Sequence, residues 1–167
     1  MTNDSKHFSL LEKWKAKDYQ PDVFGRWIGP EGDVALPLYE GRMIGQFDFS
    51  QKGYVSGRGR SAVWRDLPFD GKTIGPQYLV PEETFRHWEG RVQGTRLGYM
   101  SIGSSTNNRT GVAFALSELP CGNTVSVLSV DKGHLTKTLY VAGVVSSLAY
   151  DCALRARVGG INLLIRR

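Results

Sequence analysis

The stretch LGYMSIGSSTNNRTGVAFAL, residues 97–116, decides most of what the sequence predicts about the fold. Its two ends, residues 97–102 and 111–116, are apolar and contain aromatic and β-branched residues, which favour strands. Its middle, residues 103–110, consists of Gly, Ser, Thr and Asn around one cation, Arg109, and such residues favour turns. The pattern therefore predicts two strands that present a polar loop.

This loop has two interpretations. A forked guanidinium beside amide and hydroxyl groups on a firm support can hold phosphates or read base edges. Alternatively, the loop is an ordinary hairpin connection in which Arg109 pairs with a nearby carboxylate. Turn composition of this kind is common, so the loop alone leaves both interpretations open.

The composition of the whole chain is that of an ordinary globular domain. Of its 167 residues, 41% are hydrophobic and 22% are charged, which provides for a sizeable core. There is no apolar run of about 18 residues and no apolar signal segment. Cys121 and Cys152 lie far apart, without a CxxC motif. We therefore expect a cytoplasmic protein with reduced thiols, no metal site and no membrane contact.

Charge is distributed unevenly along the chain. Residues 1–83 carry 11 Lys and Arg against 12 Asp and Glu, whereas residues 84–167 carry 10 against 4, within a net charge of +5. Most cations of the second half are arginines, which suit bidentate contact with phosphate or guanine. The bias indicates a polyanionic partner, above all nucleic acid.

Periodicity predicts an α+β fold, with a mixed β-sheet core, a long C-terminal helix and shorter flanking helices. The helices are expected over residues 5–19, from Pro81 onward, and over 136–158, the last being buried and ended by Gly159-Gly160. Further strands are expected over residues 77–80, 123–130 and 161–165. The expected organisation is an N-terminal helix and linker, residues 1–33, followed by the main domain, residues 34–167.

The stretch ALPLYEGRMIGQFDF, residues 35–49, has side chains spaced four apart. This spacing predicts a short helix that begins at Pro37. The alternative is a loose helical turn in which Arg42 pairs with Glu40 or Asp48.

The stretch QKGYVSGRGRSAVW, residues 51–64, is rich in glycine and carries three cations. Residues 57–62 fit the pattern G-x-G-x-x-A of dinucleotide-binding turns, which requires a buried strand before it and a helix after it. The polar residues before it and the early Pro68 provide neither. We interpret the stretch as a basic loop that contacts phosphates, or else as a solvated loop without a partner. Its cations are Lys52, Arg58 and Arg60.

Catalytic motifs are absent from the sequence. His7, His87 and His134 are isolated, and no HExxH, G-x-S-x-G or phosphate-binding P-loop pattern occurs. A triad of a serine from residues 101–105 with His134 and Asp151 can assemble only in space, without a local signature. The sequence therefore favours binding over catalysis, and we expect no catalytic residue in this chain.

Three stretches, in this order, resemble the specificity region of adenine-specific DNA methyltransferases. The family comprises type IIG restriction–modification enzymes and related phage-defence methylases, and the region is their TaqI-like target-recognition domain. The stretches are LPLYEGRMIGQFDF (36–49), SSTNNRT (104–110) and LYVAGVVSSLAYDCALRARVGG (139–160). The third looks like the family's helix with an N-S-L-x-x-D run, with Ser146 in the place of Asn. The resemblance covers residues 34–165.

The resemblance implies that this chain is a target-recognition domain without its catalytic partner. In such enzymes a separate domain binds S-adenosylmethionine and methylates a flipped adenine with an N-P-P-Y-type motif, which this sequence lacks. We therefore expect no cofactor and no enzyme activity in this chain, and two partners: double-stranded DNA and the methyltransferase catalytic domain. The alternative is an assembly module that docks the catalytic domain without reading bases.

Two groups of residues are the expected sites. The DNA-binding group consists of Asn107, Asn108, Arg109, Thr110, Lys52, Arg58, Arg60 and Arg96. The interface with the catalytic domain is expected at Tyr39, Glu40, Gly41 and Arg42.

Overall fold

The computed structural model describes residues 6–88, 94–104 and 106–158, without the side chains of Arg60 and Trp88. The described α-helices are α1 (Leu11–Lys15), α2 (Glu82–Trp88), α3 (Leu135–Val145) and α4 (Leu148–Arg155). The described strands are β1 (Ser9–Leu10), β2 (Gln20–Pro21), β3 (Trp27–Ile28), β4 (Val34–Pro37), β5 (Lys52–Ser56), β6 (Val63–Asp66), β7 (Tyr78–Pro81), β8 (Arg96–Met100), β9 (Ala113–Leu116) and β10 (Val125–Leu128). Short 3-10 turns occupy Gly41–Met43, Gly59–Ser61 and Asp131–Gly133.

The α+β class predicted from the sequence is confirmed. The described strands form three antiparallel sheets, with the orders β1-β7-β4-β3-β2, β10-β8-β9 and β5-β6. A parallel bridge between Tyr39 and Cys121 connects the segment after β4 with the segment before β10. This bridge brings the five-stranded and three-stranded sheets together.

The five-stranded sheet combines strands from both sides of residue 33. Trp27 on β3 pairs with Ala35 on β4, and Leu36 pairs with Val80 on the central strand β7. Helix α1 is shorter than the predicted helix over residues 5–19, because Ser9 pairs with Leu79 and so belongs to an edge strand. The N-terminal segment is thus part of this sheet.

The three-stranded sheet confirms the prediction of two strands around a polar loop. Strand β8 pairs with β9 across the loop, and β10 pairs with the other edge of β8. Gly98 lies opposite Phe114, and a Cβ at Gly98 would lie 2.4 Å from the Phe114 ring. Glycine is therefore required at this position for the ring to pack over the strand.

One cluster of buried apolar side chains contains residues from both larger sheets and from α2. Leu36 and Val80 come from the five-stranded sheet, Phe114 and Leu116 from the three-stranded sheet, and Phe85 from α2. Burial of each such side chain contributes about 1.5–3 kcal/mol, so this shared core fixes the relative position of the two sheets.

The stretch after β4 is not the helix that the four-residue spacing predicts. Pro37 pairs with Leu79 in the sheet, and only Gly41–Met43 forms a 3-10 turn. The backbone N–H of Gly41 donates to Thr124 Oγ1 at 2.8 Å, and a Cβ at Gly41 would lie 3.1 Å from the Thr124 carbonyl oxygen. These contacts with the segment before β10 override the helical spacing.

The predicted long buried helix over residues 136–158 is two helices that are largely exposed. Helix α3 ends before Ser146, and Ser147 begins α4 because its hydroxyl accepts from the backbone N–H of Tyr150 at 3.2 Å. The break separates the apolar positions of the two halves, and Leu139 and Leu148 are 50% and 70% exposed. The strand predicted over residues 161–165 lies outside the described residues.

Candidate nucleic-acid interface

A cavity of about 500 Å³ opens where three stretches singled out in the sequence meet. We call it the cationic pocket. Residues 41–46 form one side, residues of the β5–β6 hairpin form another, and residues 100–112 form the third. Its polar lining consists of Arg42, Gln46, Gln51, Lys52, Asn108 and Arg109.

Three of the side chains that line the cationic pocket are cations, and none of its described lining residues is Asp or Glu. Arg42 is exposed, and Lys52 forms only a long and exposed ion pair, 3.8 Å from Asp66. Cations concentrated in a concave surface raise the local concentration of anions. The pocket is therefore suited to an anionic ligand.

Arg109 lies half-buried at the inner side of the polar loop. Its Nη2 donates to the carbonyl oxygen of Ser146 at 3.3 Å, and Nη1 is buried and makes no hydrogen bond within the described chain. The Nε2 of Gln46 donates to the same carbonyl at 2.7 Å. A buried N–H without a partner costs about 1–3 kcal/mol, which an accepting ligand would recover.

The carboxylate of Asp151 on α4 binds the backbone at the end of the polar loop. It accepts hydrogen bonds from the backbone N–H groups of Thr110 and Gly111, at 2.7 and 2.8 Å, and from Nε of Arg155 at 2.8 Å. Burial acts to raise the pKa of Asp151, but the two N–H groups and Arg155 together hold it below its usual value. Asp151 is therefore ionised and bonded at neutral pH.

Arg155 completes the attachment of the loop to α4. Its Nη2 donates to the carbonyl oxygens of Asn107 and Asn108, at 2.6 and 2.7 Å. Because these carbonyls are bound on the inner side, the loop has a fixed backbone while Asn107 and Asn108 remain exposed. The loop does connect β8 and β9 as a hairpin, but among the described residues Arg109 forms no ion pair, since the nearby carboxylate of Asp151 binds Arg155 and the loop backbone.

Two residues of the predicted DNA-binding group are unavailable to DNA. Arg96 is 2% exposed, and its Nη2 donates to the carbonyls of Ser117 and Leu119, at 3.3 and 2.9 Å. Thr110 is 1% exposed, and its hydroxyl donates to the Ser104 carbonyl at 3.1 Å. Both predictions are corrected: the two side chains hold the protein's own backbone because long-range contacts enclose them.

The predicted interface at residues 39–42 is only partly on the surface. Tyr39 and Gly41 are buried, Tyr39 against Phe114, so neither can contact another domain. Glu40 is half-buried, and burial raises its pKa to about 6 although the charge of Arg42 acts to lower it. Arg42 is exposed, but it faces the cationic pocket, together with residues predicted for DNA.

The Gly-rich stretch forms the β5–β6 hairpin, so no helix follows the glycines and the dinucleotide-binding interpretation is excluded. Gly57 has φ +83°, and a Cβ there would lie 2.5 Å from the Ser61 carbonyl oxygen. The Tyr54 hydroxyl at the base of the loop lies 2.8 Å from the Gly57 carbonyl oxygen and 2.7 Å from Glu12 Oε1, and its one proton is shared between these two acceptors. Arg58 is exposed on this loop, and the side chain of Arg60 lies outside the described residues.

Sequence reasoning did not assign several residues to this site. Gln46, Gln51 and Trp64 line the cationic pocket, while Asp151 and Arg155 hold its loop. The four-residue spacing in residues 35–49, which includes Arg42 and Gln46, was a signal, but it was assigned to a helix. Asp151 and Arg155 are one helical turn apart, which is a usual signature of an ion pair, but their contact with residues 107–111 has no local signal.

A second and more apolar groove of about 300 Å³ lies beside α3. Phe47, Phe49 and Leu139 line it, with exposed fractions of 71%, 42% and 50%. Tyr140 on α3 and Leu148 on α4 are further exposed apolar side chains. A groove lined by exposed apolar side chains commonly marks an interaction site.

Two further features bear on the classes of function. Within the described residues, no three His, Cys, Asp or Glu side chains come together as a metal site would require. No helix among the described residues combines the length and the apolar character needed to cross a membrane.

Comparisons of this chain with models of protein families, with curated proteins and with solved structures gave no match.

Proposed function

We propose that this chain binds duplex DNA as the target-recognition domain of an adenine-specific DNA methyltransferase or restriction–modification enzyme. In this proposal the catalytic domain, with its S-adenosylmethionine, is a separate part of the same polypeptide or complex and works with it in the cytoplasm. The observation that carries the proposal is the cationic pocket, where Arg42, Lys52 and Arg109 meet from three separate stretches.

Contacts among the three stretches of the family resemblance support this proposal. Gln46 from the first stretch and Arg109 from the second both donate to the carbonyl of Ser146 in the third. Asp151 from the third stretch binds the backbone of the second. The residues that carry the resemblance thus belong to one local structure around the pocket rather than to three unrelated positions.

The chemistry of the exposed groups is that of DNA recognition. Arginine and lysine side chains neutralise phosphates and position a protein on the duplex. Asparagine amides both donate and accept, and so can pair with the major-groove edge of adenine. Asn107 and Asn108 are exposed on a loop whose backbone is held by Arg155, so the backbone positions from which their amides extend are fixed.

Duplex binding measured by fluorescence anisotropy tests the proposal. We expect submicromolar affinity for a labelled duplex at low salt, falling steeply as salt rises because counterions are released. Arg109→Ala should weaken binding about tenfold, while the melting temperature stays near that of the wild type because a single long hydrogen bond is lost. The matched control is Arg86→Ala, whose side chain pairs with Glu82 on α2 and does not line the pocket.

Two outcomes would contradict this proposal. If the duplex does not bind at low salt, DNA recognition by this chain is wrong. If Arg109→Ala unfolds the chain, or weakens binding no more than Arg86→Ala does, the assignment of Arg109 to the DNA surface is wrong.

The second candidate function is assembly with the catalytic domain without base reading. The apolar groove beside α3 favours it, because its lining residues Phe47 and Leu139 are 71% and 50% exposed. In this case Phe47→Ser should reduce co-purification with the separate methyltransferase domain. Strong duplex binding by the isolated chain, with co-purification unaffected by Phe47→Ser, would contradict this candidate.

A further inference from the structure

We propose that the cationic pocket binds a single nucleotide, with its phosphate at the cations and its base against the apolar wall. This inference rests on the proposed function and adds the ligand of one subsite. A cavity of about 500 Å³ is within the range of about 300–1,000 Å³ that is usual for small-ligand pockets. A paired duplex can only lie across its mouth, whereas one nucleotide can enter.

The walls of the pocket indicate an aromatic ligand rather than a bare anion. Trp64, Met100 and Val112 line it. An inorganic phosphate could contact the cations but would leave these apolar side chains uncovered. A nucleobase instead stacks on tryptophan and buries its faces against methionine and valine.

The polar groups of the pocket match the remaining parts of a nucleotide. Arg109 and Lys52 supply positive charge for a phosphate, with Arg42 at the exposed side. Gln51 and Asn108 are exposed amides that can both donate to and accept from the edge of a base.

Unsatisfied polar atoms in the lining residues point in the same direction. Arg109 Nη1, Gln46 Oε1 and Trp64 Nε1 are buried and make no hydrogen bond within the described chain. Buried polar atoms are normally paired, so three side chains of one pocket that each keep an unpaired polar atom support a ligand at this place.

Isothermal titration with deoxyadenosine 5′-monophosphate, with thymidine 5′-monophosphate, with the nucleoside and with inorganic phosphate tests this inference. We expect a mononucleotide to bind with a Kd of about 10–100 μM, and the nucleoside and phosphate each to bind at least about tenfold more weakly. If phosphate alone or the nucleoside alone binds as well as the nucleotide, or if no nucleotide binds at millimolar concentration, the inference is wrong.

Ala62→Phe is the matched variant, because it fills the pocket and retains all its cations. We expect it to abolish nucleotide binding. If this variant melts early, Gly45→Ala replaces it, since a Cβ there would lie 2.6 Å from Gln51 Oε1 and would displace that side chain. Nucleotide binding unchanged in a folded variant would contradict the inference.

Two sources of the nucleotide are distinguished by a duplex with one unpaired base. If the pocket receives a nucleotide extruded from DNA, this duplex should bind at least about tenfold more tightly than the paired one, and Ala62→Phe should remove the difference. If the pocket receives a free nucleotide, mononucleotides should bind and the two duplexes should bind alike. Paired-duplex binding without any nucleotide binding would overturn this inference and leave the proposed function standing.

Discussion

Two loops of similar composition, residues 103–111 and residues 57–62, are supported in different ways. Each contains glycine, serine and arginine. The first is bound along its backbone by Asp151 and Arg155, whereas the second is held at its base through the carbonyl of Gly57. The comparison teaches that support from another element, rather than composition, decides which loop can present side chains in a fixed geometry.

Under the proposed function, this difference predicts different tasks for the two loops. Base readout requires donors and acceptors at fixed positions, which the attachment to α4 provides for Asn107 and Asn108. Phosphate contact requires charge within reach of the backbone and tolerates motion, which suits the exposed Arg58. Changes at Asp151 and Arg58 test this division, and a change at Glu40 tests the segment next to the pocket; they follow from the largest expected effect to the smallest.

Asp151→Ala should have the largest effect, because it leaves two buried N–H groups and Arg155 without their acceptor. We expect the free energy of unfolding, measured with urea, to fall by about 3 kcal/mol. The control is Asp66→Ala, whose carboxylate is exposed 3.8 Å from Lys52 and should change stability by less than about 0.5 kcal/mol. Equal losses in the two variants would remove the distinction between the loops.

The stability that Asp151 provides should depend on pH in the acid range. Its pKa is lowered in the folded protein, so its contribution is complete above the usual value of 3.8 and is lost as the pH falls through the folded value. The free energy of unfolding of the wild type should exceed that of Asp151→Asn at pH 6, and the difference should narrow as the pH falls below 3.8. Unfolding curves at several pH values measure this. A difference that stays constant would show that the charge of Asp151 does not hold the loop.

Glu40, in the segment that forms one side of the pocket, should give an opposite pH dependence. Burial raises its pKa to about 6, so folding favours the protonated acid, and stability present below pH 4.5 is lost as the pH rises through 6. We expect Glu40→Gln to be more stable than wild type by about 1 kcal/mol at pH 8, after allowance for partial exposure, and equal to it at pH 4. Thermal melts at the two pH values test this, and a variant that is less stable at pH 8 would contradict it.

Arg58→Ala should have the smallest effect on stability, because the side chain is exposed. We expect a change of less than about 0.5 kcal/mol in unfolding. Duplex affinity should fall only a few-fold, with the slope of log affinity against log salt reduced by about 1. Anisotropy titrations at four salt concentrations measure the slope. If Arg58→Ala changes preference between duplex sequences, this loop reads bases and the division proposed above is wrong.

The sequence predicted the local helices and strands of this fold better than the contacts between distant segments. The β8–β9 unit and helix α2 follow directly from apolar alternation and from the proline and carboxylates at the helix start. The helix predicted from Pro37 failed because Pro37 pairs with β7 and Gly41 packs on Thr124. The break at Ser146-Ser147 was signalled by a helix-capping residue, but the apolar periodicity concealed it.

The candidate site could be predicted only in part for the same reason. Lys52, Asn108 and Arg109 were identified from composition and resemblance, and they line one pocket. Arg96 was chosen by the same reasoning and is enclosed by carbonyls more than 20 positions along the chain. Charge and residue type do not reveal burial, which depends on contacts between distant segments.

By itself, then, the sequence determined the secondary-structure class and the basic second half, and it supplied the candidate residues for a polyanionic partner. The tertiary structure alone decided that residues 41–46, 51–64 and 100–112 enclose one cavity, and that α4 holds the loop beside it. The physical reason is the distance along the chain over which each kind of interaction acts. Turn and strand preferences act over a few residues, whereas the exposure of Arg109 and the enclosure of Arg96 are set by packing between segments far apart in the chain.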